Sequence, residues 1–231
     1  MLLVSTNVSR NSKPCRLAAR PVEGEKRVTW TGERPLGIGR RRDGILYIPS
    51  TYEPTRPAPL VLCLHGAGGR AQNRVDALRA DAERTGAVLV APDSLGPTWD
   101  FLISGCGVDL ERIDRALEAA FALLAVDPAR VAIEGFSDGA SYALSLGLSN
   151  GDLFSYVFAF SPGFVSNGSP VGSPCVFVSH GTRDTVLRVS CSRRIAPRLS
   201  RAGYATIYRE FDGGHTAPPD MVSEAMDLLV D

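Results

Sequence analysis

Two serines of this 231-residue chain lie in the pattern Gly-x-Ser-x-Gly: Ser137 in GFSDG and Ser149 in GLSNG. Such a serine can act as a nucleophile when a sharp turn from a strand into a helix exposes its hydroxyl group. GFSDG directly follows the apolar run VAIE and precedes the helical pattern GASYALSLGL. GLSNG instead ends that helical pattern, and its small polar residues are typical of a helix C-terminus. The sequence therefore predicts Ser137, and not Ser149, as the nucleophile.

A serine nucleophile needs a base, and the base needs an acid that holds its tautomer. The base should follow the last strand, where His215 lies in FDGGHTAPP. The acid should follow an earlier strand, and Asp184 comes shortly after the run CVFVS. Asp152 fits less well because it ends the helix of the nucleophile, and Asp212 because it is too near the base in sequence. We therefore predict that Asp184 and His215 act with the serine.

The negative charge that develops on a carbonyl oxygen during attack needs backbone N–H donors. One donor should be the N–H of Asp138, next to the nucleophile. The other should come from the glycine-rich loop in LVLCLHGAGG, where we predict Ala67, with Gly66 or Gly68 as alternatives. His65 in the same loop is expected to pack and hydrogen-bond beneath it.

Short apolar runs alternate with helical patterns from residue 60 onward. The runs cover 60–64, 87–91, 131–134, 156–160, 175–179 and 205–211; the helical patterns lie near 72–85, 109–124, 138–149, 190–202 and 218–230. Several runs are apolar without alternation, which is typical of strands that are buried on both faces. The chain is therefore predicted to be α/β, with a mostly parallel central sheet, helices on both faces, and its site at the carboxyl ends of the strands.

We predict one domain over residues 1–231, with residues 1–27 as a loosely packed arm. The formal net charge is zero, with 25 basic and 25 acidic side chains, so a nucleic-acid partner is not expected. Five scattered cysteines are expected to be free thiols, and no metal-ligand spacing is present. No apolar run has the length of a membrane span and no leader is evident, so a cytoplasmic location is expected. The chain is expected to be a monomer or a homodimer.

A loop over residues 93–107, DSLGPTWDFLISGCG, is predicted to form the wall of the substrate pocket. Trp99, Phe101 and Leu102 are its candidate lining residues, and Phe164 after a later strand is another. The alternative is that these apolar side chains pack on the sheet. The segment between Gly139 and the acid is too short for a helical cap domain, so an open site is expected.

The motifs HGAGG, GFSDG, HGTRD and GGH, in this order, resemble those of the α/β-hydrolase superfamily. GFSDGASYAL, SHGTRDTVL and DGGH are similar to the phospholipase/carboxylesterase group, which includes acyl-protein thioesterases. The region around YIPSTYEPTRPAPLVLCLHGAGG also resembles polyhydroxybutyrate-depolymerase-like and feruloyl-esterase-like proteins. Two positions depart from the thioesterase pattern, because Asp138 and Ala140 stand where Gln and Gly are usual.

The resemblance implies an α/β-hydrolase fold, Ser137 as nucleophile, Asp184 as acid and His215 as base. It implies a cofactor-free serine carboxylesterase that acts on small-molecule esters, with short to medium acyl chains expected. A thioesterase and a polyester depolymerase or feruloyl-type esterase are alternatives with the same three residues. A slow or non-catalytic ligand receptor on this fold is an alternative of another class.

Overall fold

The computed structural model describes residues 15–230 except 25, 27, 41 and 167, and one eight-stranded sheet runs through it. Its order is β1-β2-β4-β3-β5-β6-β7-β8; β1 and β2 are antiparallel to their neighbours, and β3 to β8 run parallel. The strands are β1 Gly32–Pro35, β2 Gly44–Ile48, β3 Ala58–Leu64, β4 Val88–Pro92, β5 Val126–Phe136, β6 Tyr156–Phe160, β7 Cys175–Gly181 and β8 Thr206–Phe211. The predicted mostly parallel sheet is therefore confirmed.

Helices cover both faces of this sheet. They are α1 Ala71–Thr85, α2 Phe101–Ser104, α3 Val108–Leu123, α4 Asp138–Ser149, α5 Ser190–Arg201 and α6 Pro219–Asp227. Along β3, Leu60, Leu62 and Leu64 enter the core beneath α3, α4 and α5, while Val61 and Cys63 enter the core beneath α1 and α6. Because successive side chains of a strand point to opposite faces, an unbroken apolar run can fill both cores.

The connection between β6 and β7 contains no helix among its described residues, in agreement with the expected lack of a cap. No helix of the described residues is both long and apolar enough to cross a membrane.

The described part of the predicted N-terminal arm is not loose. Arg16 and Arg20 both form ion pairs with Asp152, at 2.7 and 2.6 Å, and the side chain of Leu17 is buried in the core beneath α3 and α4. The hydrogen bond from Arg16, with a further one from Arg20, lowers the pKa of Asp152 to about 2 despite opposing desolvation. The expectation failed here because polar, irregular sequence does not reveal partners more than a hundred residues away. Residues 1–14 lie outside the described part of the chain.

The expectation of free thiols is wrong for two cysteines, because Cys15 and Cys106 form a disulfide with a Cα–Cα distance of 5.5 Å. Cys63, Cys175 and Cys191 are free. The bond joins the N-terminal segment to the chain between α2 and α3, across a sequence separation of 91. Spacing in the sequence gives no sign of a pairing over this length.

Reducing this disulfide should lower the free energy of unfolding by about 2–4 kcal/mol, because a long loop is then released in the unfolded chain. Chemical unfolding with and without dithiothreitol measures the change. In the Cys15→Ser/Cys106→Ser variant the reductant should have no effect. A titration that finds all five thiols free in the unreduced, unfolded protein would contradict the pairing.

Candidate active site

Ser137 occupies a strained turn between β5 and α4. Its backbone has φ 57° and ψ −118°, a region that residues with a Cβ rarely adopt. The Ser137 N–H donates to the carbonyl oxygen of Phe160 at the end of β6, at 2.9 Å. This is the strand–turn–helix setting that the sequence predicts for GFSDG.

The two glycines of GFSDG are required by close contacts between backbone segments. A Cβ on Gly139 would overlap the carbonyl oxygen of Leu64 and lie 2.6 Å from that of His65. A Cβ on Gly135 would overlap the backbone of Gly139 itself. Strand β3 and the start of α4 therefore meet at a distance that only glycine allows.

The structure brings together the three residues predicted as nucleophile, base and acid. Nε2 of His215 is 2.8 Å from Oγ of Ser137, and Nδ1 is 2.6 Å from Oδ2 of Asp184. The ring of His215 is 16% exposed and lies 4.9 Å from the ring of Phe136. With Nδ1 protonated, Nε2 accepts the serine proton, so the array can activate the hydroxyl group.

The environment of Asp184 keeps its carboxyl group ionised. Burial raises the pKa of this group, but hydrogen bonds from His215 and from the backbone N–H groups of Leu187 and Val186 outweigh burial and lower it. These backbone bonds reach Oδ1 at 2.9 and 2.8 Å and leave Oδ2 to the imidazole. Asp212 and Asp152, the two poorer candidates for the acid, have other partners. Asp212 pairs with an arginine at the surface, and Asp152 holds the N-terminal segment.

A second histidine also contacts this acid, which sequence reasoning did not predict. His180 is buried at the end of β7, and its Nε2 donates to the carbonyl oxygen of Leu187 at 2.7 Å while lying 3.2 Å from Oδ2 of Asp184. Its Nδ1 accepts from the Ser192 hydroxyl of α5 at 2.7 Å. His180 thus connects α5 to the loop that carries the acid. Its place in SHGTRD, four residues before the acid, is the signal that could have indicated this role.

In the loop after β3, two of the N–H groups are already used in backbone hydrogen bonds. Gly68, with φ +70°, donates its N–H to Pro97 at 2.7 Å, and Gly69 donates to Gly66 at 3.0 Å. Within the described residues, no hydrogen bond is formed by the N–H of Ala67. The pattern favours Ala67 over Gly68, and the N–H of Asp138, at the first position of α4, is the other candidate donor.

His65 lies beneath this loop, as expected. Its Nε2 accepts from the N–H of Ser94 at 3.0 Å, and its Nδ1 donates to the carbonyl oxygen of Gly66 at 2.8 Å. Burial lowers the pKa of His65, so the ring is neutral and holds two loops together.

The predicted pocket wall is only partly correct. Trp99 is 1% exposed, and its indole N–H donates to the carbonyl oxygen of His65 at 2.8 Å, so this residue packs in the core and is not a lining residue. Phe101 and Leu102 are partly buried against the same core. Phe164 is 44% exposed and lies 6.4 Å from the ring of Phe101 at an angle of 16°. These two phenylalanines are the candidate apolar surface.

Hydrogen bonds fix the loop that bears Trp99. The carboxylate of Asp109 accepts from the N–H groups of Leu95 and Asp100, at 2.8 and 2.9 Å, and does not cap α3. Thr98 donates to Asp138 at 2.8 Å and so joins the loop to the residue after the nucleophile.

The serines of α4 hold a second loop. The hydroxyls of Ser141 and Ser145 accept from the N–H groups of Gly163 and Ser166, each at 3.0 Å. Ser149 is buried and donates to the carbonyl oxygen of Ser145 at 2.9 Å. The second Gly-x-Ser-x-Gly therefore has a structural role in the helix.

A buried ion pair lies under the nucleophile turn. Arg74 of α1 makes two hydrogen bonds to Glu134 of β5, and both side chains are buried. Burial raises the pKa of Glu134, and the arginine opposes that shift. The guanidinium group also lies 5.9 Å from the ring of Phe136, which itself contacts His215.

The order of the strands and helices is that of the α/β-hydrolase fold, and solved structures have the same fold. The structure of esterase PE8 matches with a TM-score of 0.65 at 22% identity, over 81% of this chain and 97% of that one. A ferulic acid esterase from Anaeromyces mucronatus, solved with ferulic acid, matches with a TM-score of 0.61 at 18% identity, over 82% and 86%.

The chain belongs to the phospholipase/carboxylesterase family, whose model matches residues 109–230. Feruloyl esterase C of Emericella nidulans is 31% identical over 155 residues, which are 63% of this chain and 56% of that protein. The probable feruloyl esterase C of Aspergillus flavus is 26% identical over 213 residues, 77% of each chain. In the first of these matches, the chain spans little more than half of the relative's length.

Replacing Asp184 by Asn should slow the labelling of Ser137 by a fluorophosphonate about 10³–10⁴-fold, because an amide favours the wrong tautomer of His215. Stopped-flow or gel-based labelling rates measure this without knowledge of the substrate. Asp212→Asn, in an exposed ion pair, is the matched control and should label at the wild-type rate. Equal labelling by Asp184→Asn and the wild type would rule out Asp184 as the acid.

Proposed function

We propose that the protein is a serine carboxylesterase that hydrolyses short- to medium-chain carboxylic esters. The observation that carries this proposal is the unbroken hydrogen-bonded chain from Ser137 through His215 to Asp184, with distances of 2.8 and 2.6 Å. Membership of the phospholipase/carboxylesterase family supports it.

In the first half of the reaction, Oγ of Ser137 attacks the ester carbonyl carbon while Nε2 of His215 takes the hydroxyl proton. The N–H groups of Ala67 and Asp138 donate to the oxyanion, and each such donor contributes about 3–4 kcal/mol. The intermediate collapses when the C–O bond to the alcohol breaks and His215 gives its proton to the leaving oxygen. Asp184 stabilises the imidazolium throughout.

In the second half, water attacks the acyl-enzyme carbonyl carbon and His215 takes a proton from this water. The bond between the acyl group and Ser137 breaks, the proton returns to the serine oxygen, and the acid is released. No step needs a cofactor or a metal ion.

A feruloyl-type activity is the second candidate. The relatives named feruloyl esterase C favour it, as does the nearly parallel pair of Phe101 and Phe164, which offers apolar faces to a planar acyl group. The remaining alternatives share the same three residues. A thioesterase and a polyester depolymerase differ from an esterase in their substrate, and a ligand receptor differs in its slow or absent turnover.

The compartment is better inferred from the Cys15–Cys106 disulfide than from the expectation of a cytoplasmic protein. Structural disulfides persist mainly in oxidising compartments. We therefore propose that the protein works in an oxidising environment, where the bond that joins the N-terminal segment to the α2–α3 connection is maintained.

Ser137→Ala should lose several powers of ten in kcat on p-nitrophenyl esters from acetate to palmitate, because the nucleophile is removed. Ser149→Ala, in the second motif, should retain wild-type kcat. A wild-type protein that hydrolyses none of these esters but forms acid from thioesters or polyester films would replace the proposal by those alternatives. Tight binding of an ester without turnover would favour the receptor.

Phe164→Ala should lower kcat/KM for methyl ferulate about 2–10-fold more than for methyl butyrate, since an aromatic contact is worth about 0.5–1.5 kcal/mol. Val186→Ala removes another exposed apolar side chain as the control and should affect both esters equally. If Phe164→Ala also lowers kcat/KM equally for both esters, Phe164 does not form the surface that binds the aryl group.

A further inference from the structure

A cleft rich in arginine lies beside the candidate site, between α5 and residues 163–165. Its volume is about 530 Å³, which is in the range of small-ligand sites. Four arginines line it, together with the side chain of Phe164; they are Arg193, Arg194, Arg198 and Arg201. The cleft therefore combines an apolar wall with a concentration of positive charge.

Part of this charge is not neutralised. Arg193 forms a two-bond pair with Glu210, at 2.7 Å for each bond. Among the described residues, no carboxylate lies within ion-pair distance of Arg194 or Arg201. Within the described part of the chain, the guanidinium group of Arg194 donates a hydrogen bond only to Sγ of Cys191, at 3.7 Å, and Nε of Arg201 donates to the carbonyl oxygen of Pro197 at 3.0 Å. Both side chains keep free N–H donors.

The positions of Arg194 and Arg201 along α5 place their side chains on the same side of the helix. Positions 194 and 201 lie seven residues, about two turns, apart, so they share a face of α5. At 1.5 Å per residue they span roughly 10 Å along the helix. A carboxylate or a phosphate could therefore contact more than one guanidinium group in the same cleft.

The cleft is fixed relative to the nucleophile. Its loop wall is bonded to Ser141 and Ser145, which lie one and two turns along α4 from Ser137. On the other side, α5 is connected through Ser192 and His180 to the loop of the acid. A ligand in the cleft would thus be held by the same elements that hold the reacting groups.

The site has opposite charges on its two sides. Asp138 bonds to Thr98, which follows β4, and β4 lies two strands from β5 in the sheet order. The arginines follow β7, which lies two strands from β5 in the other direction. At about 4.8 Å per strand, β7 lies roughly 10 Å from the nucleophile strand within the sheet, so the helix that follows β7 is displaced to this side by about that distance. An acidic group on a substrate is therefore repelled from the side of Asp138 and attracted towards α5.

We propose that this cleft binds an anionic group, a carboxylate or a phosphate, at the far end of the acyl part of the ester substrate. The inference rests on the proposed esterase function and deepens it, because it names half-esters of diacids as a preferred substrate class. A separation of roughly 10 Å corresponds to an acyl chain of about six to eight carbons between the two carbonyl groups or their equivalents.

The test compares p-nitrophenyl half-esters of dicarboxylic acids, from succinate to sebacate, with the same esters capped as methyl esters. The wild type should show a kcat/KM about 5- to 30-fold higher for the free acid than for the capped ester at the longer chain lengths. This preference should decrease as salt is added. The neutral, capped esters provide the baseline of esterase activity.

Arg194→Gln/Arg201→Gln should abolish the preference for the free acid and leave kcat/KM for capped esters unchanged. Arg56→Gln/Arg115→Gln removes the same number of positive charges from exposed positions outside the cleft and should keep the preference. This control separates a local contact from long-range attraction by the net charge.

The experiment distinguishes a failure of the proposed esterase function from a failure of the cleft proposal. A wild type that hydrolyses no capped ester contradicts the proposed function, whereas equal rates on capped and free-acid esters contradict only the cleft. Inorganic phosphate should compete with the half-esters and leave the capped esters unaffected. If phosphate instead changes the hydrolysis of capped esters through Arg194 and Arg201, the cleft takes a free anion and not the acid of the substrate.

Discussion

The close approach of β3 to the start of α4 is the constraint on which the rest of the site depends. Only glycine at position 139 lets the backbone of Leu64 pass this close to the helix, and only glycine at position 135 lets the end of β5 lie against Gly139. That contact places the loop after β3, with Ala67, beside the turn that carries Ser137. The turn itself costs backbone strain of about 1–3 kcal/mol, which the sheet and helix on either side of it must offset. The contact between β3 and α4 thus positions both Ser137 and the candidate oxyanion donors.

The supporting contacts are mainly hydrogen bonds between side chains and backbone groups of loops, in most of which a loop N–H donates to a side-chain oxygen. Ser141 and Ser145 hold the loop after β6, and Asp109 holds the loop after β4. His180 and the backbone near Asp184 hold the loop after β7. Each bond contributes only about 0.5–1.5 kcal/mol, but together they keep the loops after three strands in one geometry. Such preorganisation costs nothing at the moment of reaction.

The fold, and the three residues that meet at Ser137, could be predicted from the sequence because their signals are local. A strand that is buried on both faces appears in the sequence as an unbroken apolar run, and the glycines of GFSDG mark the turn at Ser137. The disulfide, the buried pair of Arg74 and Glu134, and the burial of Trp99 could not be predicted in this way. Each depends on which distant segments meet in space, and an aromatic side chain in a loop looks the same whether it lines a pocket or fills the core.

The burial of Trp99 changes how substrate selection should be understood. Its indole N–H donates to the carbonyl oxygen of His65, so Trp99 supports the loop after β3 and offers almost no surface to a ligand. The surface that remains is formed by Phe101 and Phe164, and Phe164 also lines the arginine cleft. Under the proposed function, substrate selection falls on Phe101, Phe164 and the positive charge of α5, while hydrogen bonds of the loop after β4 hold the residues around Ser137 in place.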